Sequence, residues 1–424
     1  DYKIEDKGAF LKITYYFSIP NLEVFTPSLE IPKKESKVVD SLVKTLAFHM
    51  GMVELVSYWK CCMAPHVIIK CGFLNEEQIK WFKKLYFLGQ GEFFYTNKID
   101  VNIDNFMTIT CLGEEISLEN KEYRGQGVMI GIGGGKDSCV SLELLKNEPN
   151  RSAFIINPKE VMIECALKSD LKEEEILKIK RNLDLKIVEL NKRGFFNGHT
   201  PFSAMVAFTS FLTAYLNDKR YIVLSNESSA NESTVPGTKI NHQYSKTYEF
   251  ESDFNIYAKR YFKIDIDYFS FLRPLNEYEI GMLLARMSKY HPIFKSCNKG
   301  SKDIPWVWCS NCSKCLFVYS MLSPFLYKKE LVAIFKEDLF ENKALLETFK
   351  DLLGYGENKP FDCVGTYEEI NYAISKTIRN LEGELPFLLK YYKEHYELSN
   401  HEALENYWNE EHHLNEHFEA LLKR

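Results

Sequence analysis

Three glycines followed by a lysine, an aspartate and a serine lie between an apolar segment and a helical pattern. The whole stretch, 128–146, reads VMIGIGGGKDSCVSLELLK. Glycines without a Cβ let consecutive backbone N–H groups curl around an anion, and the start of a helix adds partial positive charge. The spacing is neither Walker A nor G-x-G-x-x-G, and an ordinary strand-to-helix turn is the alternative. We predict a phosphate-binding loop made by Gly133, Gly134, Gly135, Lys136, Asp137 and Ser138.

Four cysteines further along the chain follow the pattern C-x11-C-x2-C-x2-C. Close thiolates on a tight turn, with a fourth arriving from a preceding loop, suit tetrahedral zinc, and four sulfur ligands indicate a closed structural site. A set of buried free cysteines is the alternative, and an iron–sulfur cluster is less favoured because nothing else indicates redox chemistry. The predicted zinc ligands are Cys297, Cys309, Cys312 and Cys315.

A long polar segment, 224–251, follows the apolar run YIVL and shows no hydrophobic periodicity. A solvated loop is the plain interpretation. Its position beyond a predicted strand end favours a functional one, because ligands bind at the carboxyl ends of strands in open α/β sheets. The side chains of interest in this segment are Asn226, Glu227, His242, Lys246 and Glu249.

The elements that must position these residues alternate between short apolar strands and helices from Val128 onward. This alternation predicts an α/β fold with a doubly wound parallel sheet and helices on both faces. Within it we expect a helix around Leu171 to Leu183, a strand at KIVEL (186–190) and a buried apolar helix at 202–216.

The regions on either side of this sheet read differently. Residues 1–120 mix strand-like runs with the helix-like KVVDSLVKTLAFHMGMVELVSYW and predict an α+β domain. The sheet domain with its cysteine cluster then spans 121–328. Residues 329–424 are helical, because TYEEINYAISKTIRNL repeats its apolar residues with amphipathic spacing.

Composition bounds the class of protein. The 424 residues are 45% hydrophobic and 14% aromatic, which is enough for a large core and excludes a disordered chain. A net charge of -6 disfavours a nucleic-acid-coating role. We expect no secretory leader, and the sequence has no apolar run near the roughly 20 residues that span a bilayer. The eleven cysteines are distributed as in a reducing compartment. We expect a cytoplasmic enzyme that binds neither nucleic acid nor membrane.

The glycine-rich loop resembles the SGGKDS loop of the PP-loop ATP pyrophosphatase superfamily, whose fold is of the adenine nucleotide alpha hydrolase-like type, with Gly133 in place of the usual serine. That superfamily cleaves ATP between the α and β phosphates. A similar four-cysteine cluster follows the PP-loop domain of 7-cyano-7-deazaguanine synthase. More of the chain is similar to the MurL-type ATP-dependent UDP-N-acetylmuramoyl-L-alanyl-L-glutamate epimerases. The similar stretches lie between residues 45 and 330 and are VELVSYWKCC, GQGEFFYTN, GGGKDS, SNESSANE, NHQYSKTYEFE and CSNCSKCLFVYSMLSPFL.

This resemblance implies inversion of the terminal L-glutamate of a UDP-muramoyl dipeptide, with ATP converted to AMP and diphosphate. It implies ATP and Mg²⁺ besides zinc, and a ligase elsewhere that adds L-glutamate to the precursor. Adenylating the carboxylate beside Cα makes an acyl phosphate whose carbonyl accepts the charge that develops when the α-proton leaves. The chemistry needs a phosphate cradle, an acid/base pair and an anion clamp.

The resemblance assigns the cradle to Gly133–Ser138, with Lys136 and Asp137 in catalysis and Asp137 near the metal or diphosphate. Asn226 and Arg273 would contact the nucleotide, and a structural ion pair between Arg273 and Glu279 is the alternative.

His242 is the leading acid/base candidate because the pKa of a histidine normally lies near neutral pH. Its alternative role is that of a hydrogen-bonded loop histidine. Weaker candidates for proton transfer or charge stabilisation are Glu227, Lys246, Glu249 and His199, and candidates for a substrate wall are Tyr58, Trp59 and Lys60.

Two other functions stay open at the level of sequence. One is a different PP-loop synthetase that adenylates a carboxylate, such as a 7-cyano-7-deazaguanine synthase-like enzyme. The other is a nucleotide-sensing module without catalysis, which the intact Lys-Asp-Ser disfavours.

Overall fold

The computed structural model describes residues 1–119, 122–232, 238, 240–302, 305–357 and 359–423. Its strands are β1 (Tyr2–Asp6), β2 (Phe10–Tyr15), β3 (Phe17–Ile19), β4 (Glu23–Phe25), β5 (Ser28–Pro32), β6 (His66–Ile69), β7 (Thr108–Cys111), β8 (Val128–Gly131), β9 (Ser152–Ile156), β10 (Ile176–Asn182), β11 (Tyr221–Leu224) and β12 (Asp267–Ser270).

The helices follow the same chain order. They are α1 (Ser41–Trp59), α2 (Glu76–Gly89), α3 (Gly91–Thr96), α4 (Lys136–Leu144), α5 (Glu160–Lys168), α6 (Lys186–Lys192), α7 (Phe202–Leu216), α8 (Tyr248–Tyr261), α9 (Glu277–Ala285), α10 (Ser313–Leu322), α11 (Lys328–Phe335), α12 (Leu346–Leu353), α13 (Tyr367–Asn380), α14 (Phe387–His395) and α15 (Glu416–Leu422).

One eight-stranded sheet organises the molecule, in the order β1-β2-β5-β10-β9-β8-β11-β12. The five strands from β10 to β12 are parallel, and β5 joins β10 in antiparallel register, with Glu30 opposite Lys180. Two small sheets, β3-β4 and β6-β7, lie outside it. Chain order reverses between β8 and β11, and such a switch point is where open α/β sheets form ligand crevices.

Helices cover both faces of the parallel strands, and the strand side chains alternate between two cores. In β8, Val128 and Ile130 pack into one hydrophobic core and Met129 packs into the other. The first core contains α4, α9, α10 and the carboxy-terminal helices, and the second contains α1, α7 and α8. The period of two along each strand therefore buries both faces. The predicted α/β class, the mostly parallel sheet and the helical carboxy-terminal region are confirmed.

The predicted boundary near residue 120 falls between β7 and β8. Strands from both sides of it pair in the same sheet, because β1, β2 and β5 extend the parallel strands through β10. Residues 1–119 also contribute α1, which packs on α7. The amino-terminal region is therefore built onto the central sheet.

Two predicted elements have the opposite secondary structure: a predicted helix is a strand, and a predicted strand is a helix. The expected helix around Leu171 to Leu183 is wrong, because β10 occupies Ile176–Asn182 and pairs with strands on both sides. The expected strand KIVEL is wrong too, because it lies in α6, where Ile187 and Leu190 are buried one turn apart. Glutamate and lysine favour helix and β-branched residues favour strand, but sheet pairing and packing override both preferences here.

Helix ends are fixed locally where the sequence supplies caps. The side chain of Asn276 accepts from the backbone N–H of Glu279, and the Glu279 carboxylate accepts from the backbone N–H of Asn276. This capping box begins α9 directly beneath the strand ends. The apolar helix predicted at 202–216 is confirmed as α7. In the described part of the chain, no helix combines the length and the apolar character that crossing a membrane requires.

Candidate active site at the carboxyl ends of the parallel strands

The glycine-rich loop connects β8 to α4 at the switch point of the sheet. Gly134 has φ +79°, and a Cβ there would meet Val161 and Met162 side-chain atoms at 3.2 and 3.3 Å. A Cβ on Gly135 would meet Ser296 Oγ at 2.7 Å, whereas Gly133 has open space around it. Two of the three glycines are therefore required by backbone conformation or close approach, and Gly133 leaves room for a side chain.

Lys136 points away from the loop into the interior. Its side chain is fully buried and forms ion pairs with Asp137 and Glu277. Burial alone would lower the pKa of Lys136, but Asp137 and Glu277 raise it well above its ordinary value. Burial raises the pKa of Glu277 above its ordinary value, and the Lys136 ammonium opposes that shift. The backbone N–H of Glu277 donates to the Glu369 carboxylate at 2.7 Å, so α13 supports this cluster.

A cavity of about 350 Å³, here called the loop cavity, opens over the glycine-rich loop. Residues at the ends of β8, β9 and β11 line it, together with cations, carboxylates and amides from several elements. The predicted site residues on its wall are Gly133, Gly135, Asp137, Ser138, Asn226, Glu227 and Lys246. The structure thus brings the loop and the start of the polar segment together.

Lys246 contacts a residue that the sequence did not single out. Its Nζ lies 3.0 Å from Cys363 Sγ and donates to the side-chain oxygen of Gln243 at 3.2 Å. Burial alone would lower the pKa of Lys246, but Cys363 and Glu227 raise it above its ordinary range. Cys363 also lines the loop cavity. A thiol and a protonated amine therefore face the same space as the glycine-rich loop.

The other cations on this wall are Lys295 and Lys314, which the sequence did not mark either. Lys314 follows Cys312 by two positions, so the cysteine motif was the available signal. Glu277 and Cys363 carried no comparable signal, because they reach the site only through the packing of α9 and of the segment before α13. Since Lys136 is buried, the lysines that face the cavity are Lys246, Lys295 and Lys314.

His242 lies next to His199, with ring centroids 6.3 Å apart, and His199 Nδ1 is 3.4 Å from a Glu92 carboxylate oxygen. Burial and the nearby Lys246 lower the pKa of His242 to about 4. Burial and His242 lower the pKa of His199 to about 4. Both imidazoles are therefore neutral near pH 7, and the expectation that the His242 pKa lies near neutrality is not met in the free protein.

Arg273 is not on the wall of the loop cavity. Its guanidinium is fully buried, lies 3.2 Å from the Glu251 carboxylate, and donates to the backbone carbonyl oxygens of Glu227 (2.8 Å) and Lys246. Arg273 therefore forms a structural ion pair, as the alternative interpretation expected, but its partner is Glu251 and not Glu279. The hydrogen bonds of Arg273 tie together the two loops that carry Glu227 and Lys246.

Glu249 lies away from the cavity, where its exposed carboxylate contacts Lys84 Nζ at 2.7 Å. Tyr58 is buried, and its hydroxyl accepts from the backbone N–H of Asp184 at 2.9 Å. The indole of Trp59 donates to the Ala64 carbonyl at 2.8 Å. These residues have structural partners in the described part of the chain.

The side chains of Asn226 and Ser138 each form a hydrogen bond within the protein near the glycine-rich loop. The Asn226 amide donates to Ser270 Oγ at 2.9 Å, and the Ser138 hydroxyl donates to the Gly135 carbonyl at 3.0 Å. The Ser270 hydroxyl in turn donates to Glu251, which connects Asn226 to the Arg273 ion pair. The end of β12 therefore orients Asn226 on the cavity wall.

The four cysteines of the predicted zinc site come together. Their sulfur atoms lie within 4.8 Å of one another, and the pairs 297–312, 309–315 and 312–315 are 3.8, 3.7 and 3.5 Å apart. A tetrahedral site with Zn–S bonds of about 2.3 Å would separate its sulfurs by about 3.8 Å. The backbone N–H of Gly300 also donates to Cys297 Sγ at 3.1 Å. This arrangement suits a metal ion.

The cysteine cluster adjoins the glycine-rich loop through residues 295–298. The backbone N–H of Lys295 donates to the Gly134 carbonyl at 2.8 Å, and Ser296 Oγ accepts from the backbone N–H of Lys136 at 3.4 Å. Cys297 follows directly. A metal held by the cysteines would therefore fix the segment that closes one side of the loop cavity.

The fold and the site define a mixed α/β protein. Its parallel strands end at a glycine-rich loop that lines a charged cavity. Comparison with known proteins supplies the family. Residues 1–271 match the MurL N-terminal domain, and residues 293–405 match the MurL C-terminal domain. The chain belongs to the MurL family.

Three relatives carry the same name, UDP-N-acetyl-alpha-D-muramoyl-L-alanyl-L-glutamate epimerase. The protein from Xanthomonas oryzae pv. oryzae is 33% identical over 334 residues, which are 77% of this chain and 73% of the relative. The protein from Salinispora tropica is 32% identical over 83% of this chain and 78% of its own length. The protein from a Micromonospora species is 31% identical over 83% and 79%. No solved structure matches this chain significantly.

The neutral histidine pair predicts an acid-dependent loss of stability. Each imidazole has a pKa near 4 in the fold, against an ordinary value of 6.5, so the unfolded chain binds more protons between these pH values. The stabilising effect is complete above pH 6.5 and is lost as the pH falls towards 4, with a slope of at most about 1.4 kcal/mol per pH unit for each histidine. Replacing both by asparagine should flatten the pH dependence of the free energy of unfolding in urea. The exposed His395→Asn is the matched control, and an unchanged slope in the double variant would contradict the assignment.

Proposed function

We propose that this chain is an ATP-dependent epimerase that inverts the terminal L-glutamate of UDP-N-acetylmuramoyl-L-alanyl-L-glutamate to D-glutamate in peptidoglycan precursor synthesis. The observation that carries this proposal is the match to three epimerases over 77–83% of the chain. The loop cavity supports it, because the glycine-rich backbone, the cations Lys246, Lys295 and Lys314 and the Cys363 thiol line it. His242 lies outside this lining, near Lys246. The enzyme would act in the cytoplasm, on the product of a ligase that adds L-glutamate.

The first half-reaction is adenylation in the PP-loop manner. The backbone of Gly133–Ser138 and the amide of Asn226 bind the ATP phosphates, and Lys246, Lys295 and Lys314 supply positive charge around them. An oxygen of the glutamate α-carboxylate attacks the α-phosphorus, and diphosphate leaves with the electron pair of the broken P–O bond. Asp137 and Glu227 are the carboxylates on the cavity wall that would hold Mg²⁺, which neutralises phosphate charge when bound.

Lys136 acts from beneath the loop. Its ion pairs with Asp137 and Glu277 hold the Asp137 carboxylate at the start of α4. Lys136 is thus a positioning residue in the free protein, and the charge that faces the phosphates comes from the other lysines.

The second half-reaction is proton exchange at Cα of the acyl-adenylate. The adenylated carboxyl can accept charge as an enolate, which an unmodified carboxylate cannot do readily. The neutral His242 imidazole accepts the α-proton, and the Cys363 thiol donates a proton to the opposite face of Cα. The thiolate so formed lies beside the Lys246 ammonium at 3.0 Å, which stabilises its charge. Water then attacks the acyl carbon and releases AMP, and proton exchange with solvent restores His242 and Cys363.

The cysteine cluster holds a structural Zn²⁺ in this proposal. Cys297, Cys309, Cys312 and Cys315 would supply all four ligands, and such a fully protein-ligated zinc would have a structural role. The bound metal would support the hydrogen bonds by which residues 295–298 contact the glycine-rich loop.

The proposed activity is tested by incubating the protein with ATP, Mg²⁺ and the UDP-muramoyl dipeptide. We expect AMP, diphosphate and, after acid hydrolysis, D-glutamate resolved by chiral chromatography. AMP formation only when ammonia is supplied would support a carboxylate-amidating synthetase instead. D-glutamate without ATP consumption would also contradict the proposal.

Removal of the Lys136 ion pairs should abolish adenylation. Lys136→Ala leaves the carboxylates of the partly exposed Asp137 and the buried Glu277 without the cation between them. Asp137 then loses its position, and AMP formation should fall by at least about 100-fold, the usual scale for lost electrostatic preorganisation. Asp137→Asn should behave alike. The exposed Lys168→Ala is the control, and circular dichroism checks the fold. AMP formation by Lys136→Ala within a few-fold of wild type would exclude a role for this lysine.

Variants at the two proton-transfer groups should separate adenylation from inversion. His242→Gln and Cys363→Ser keep the phosphate-binding loop, so ATP–diphosphate exchange should stay within about threefold of wild type while D-glutamate formation falls by about 100-fold or more. Cys62→Ser changes a thiol that does not line the loop cavity and is the control. Equal loss of both activities in either variant would remove that residue from proton transfer.

The zinc assignment predicts one tightly bound zinc per chain by elemental analysis. Cys312→Ser removes one of four ligands and should lower both zinc content and melting temperature, because metal binding adds to the stability of the folded chain. Cys71→Ser changes a cysteine outside the cluster and should alter neither. Protein purified with added zinc that contains no bound metal would overturn the assignment.

A further inference from the structure

A second cavity, of about 540 Å³, adjoins the loop cavity and is here called the lateral cavity. Phe202, the first residue of α7, lines both. Three further cavities, around Asp40, Gln78 and Phe94, share no lining residue with the loop cavity. The lateral cavity and the loop cavity are therefore neighbours that meet at Phe202.

One wall of the lateral cavity is cationic. Lys60, Arg181 and Lys192 line it, and no carboxylate side chain is among its described lining residues. Arg181 forms a two-pronged ion pair with the buried Glu54 at 2.8 and 2.9 Å behind the wall. Lys192, at the end of α6, is exposed.

The cations of this wall repel one another. Burial and then Arg181 lower the pKa of Lys60 to about 8, with Glu92 opposing. The Lys60 ammonium donates to Thr200 Oγ1 at 2.7 Å and to the backbone carbonyls of Gly198 and His199, which fix it in place, so its contribution to anion binding is its charge. A bound anion would relieve this repulsion, and two adjacent phosphates would reach several of the cations at once.

The lateral cavity also offers apolar surface. Leu183, Val188 and Phe202 are 45%, 44% and 46% exposed, although hydrophobic side chains of this size are normally buried. The Arg181 guanidinium carbon lies 5.9 Å from the centre of the Phe202 ring. An exposed aromatic ring beside cations suits a nucleobase next to phosphates.

The substrate is too long to bind in the loop cavity alone, and this inference about the lateral cavity rests on the proposed function. The glutamate carboxylate must reach the loop cavity, where about 350 Å³ also has to hold the adenylate. The nucleoside diphosphate is attached at the far end of the muramoyl dipeptide and must bind outside that space. We propose that the lateral cavity binds the nucleoside diphosphate of the substrate, with its phosphates at Lys60, Arg181 and Lys192 and its base against Phe202.

The test compares substrates with and without the nucleotide. In Lys192→Glu, a charge reversal at an exposed position, KM for the UDP-muramoyl dipeptide should rise by about tenfold or more, equivalent to about 1.4 kcal/mol. KM for ATP, and kcat/KM for the muramoyl dipeptide lacking UDP, should stay as in wild type. Lys168→Glu is the charge-matched control. Equal losses with and without the nucleotide would overturn the proposal.

Direct binding of UDP keeps this test separate from that of the epimerase activity. With the loop cavity saturated by a non-hydrolysable ATP analogue, calorimetry should show UDP binding to the wild-type chain and at least about tenfold weaker binding to Lys192→Glu. Phe202→Leu should weaken it too, by removing the stacking surface. A chain that binds UDP in this way but inverts no glutamate contradicts the proposed function alone. Unchanged UDP affinity in both variants contradicts the lateral-cavity site alone.

Discussion

The buried ammonium of Lys136 is the constraint on which the site depends. Removing a charged amine from water costs several kcal/mol unless carboxylates compensate it. Asp137 lies next to it in the loop, and Glu277 arrives from α9 because the Asn276 cap begins that helix at the strand ends. Glu369 of α13 then accepts from the backbone N–H of Glu277. Loop, sheet and carboxy-terminal helices are thereby locked to one another around a single charge.

The carboxy-terminal region is consequently part of the site. The segment before α13 places the Cys363 thiol against Lys246. The Cys363 backbone carbonyl also accepts from the Lys314 ammonium. Asp362 accepts from Asn298 and Ser313, which directly follow Cys297 and Cys312 in the cysteine motif. Residues of both matched regions line the loop cavity, so neither region encloses it alone.

Local chemistry made several features predictable. Glycine conformation and cysteine spacing are properties of short segments, and the loop and the cysteine cluster lie where the sequence indicated. Helices α1 and α7 are long and apolar enough to be recognised without tertiary context. Propensity alone did not predict that β10 is a strand and α6 a helix. Pairing with β5 and β9 stabilises β10 as a strand. Burial of Ile187 and Leu190 stabilises α6 as a helix.

Side-chain direction was the other limit. The motif suggested that Lys136 faces phosphate and that Arg273 contacts the nucleotide, yet both are buried in ion pairs, and only the partners Glu277 and Glu251 explain why. Cys363 is distant in sequence from every motif, so its contact with Lys246 depends on the whole fold. Burial also removes the near-neutral pKa that made His242 attractive as an acid/base group.

The central claim is that one cavity couples carboxylate adenylation to inversion of the neighbouring carbon through an acyl-adenylate. The most direct measurement uses a substrate with oxygen-18 in its terminal α-carboxylate, incubated in heavy water and analysed by mass spectrometry. The account predicts carboxylate-derived oxygen-18 in AMP and solvent deuterium at Cα of the D-glutamate product. D-glutamate formed with AMP that lacks the label, or without deuterium, would contradict it.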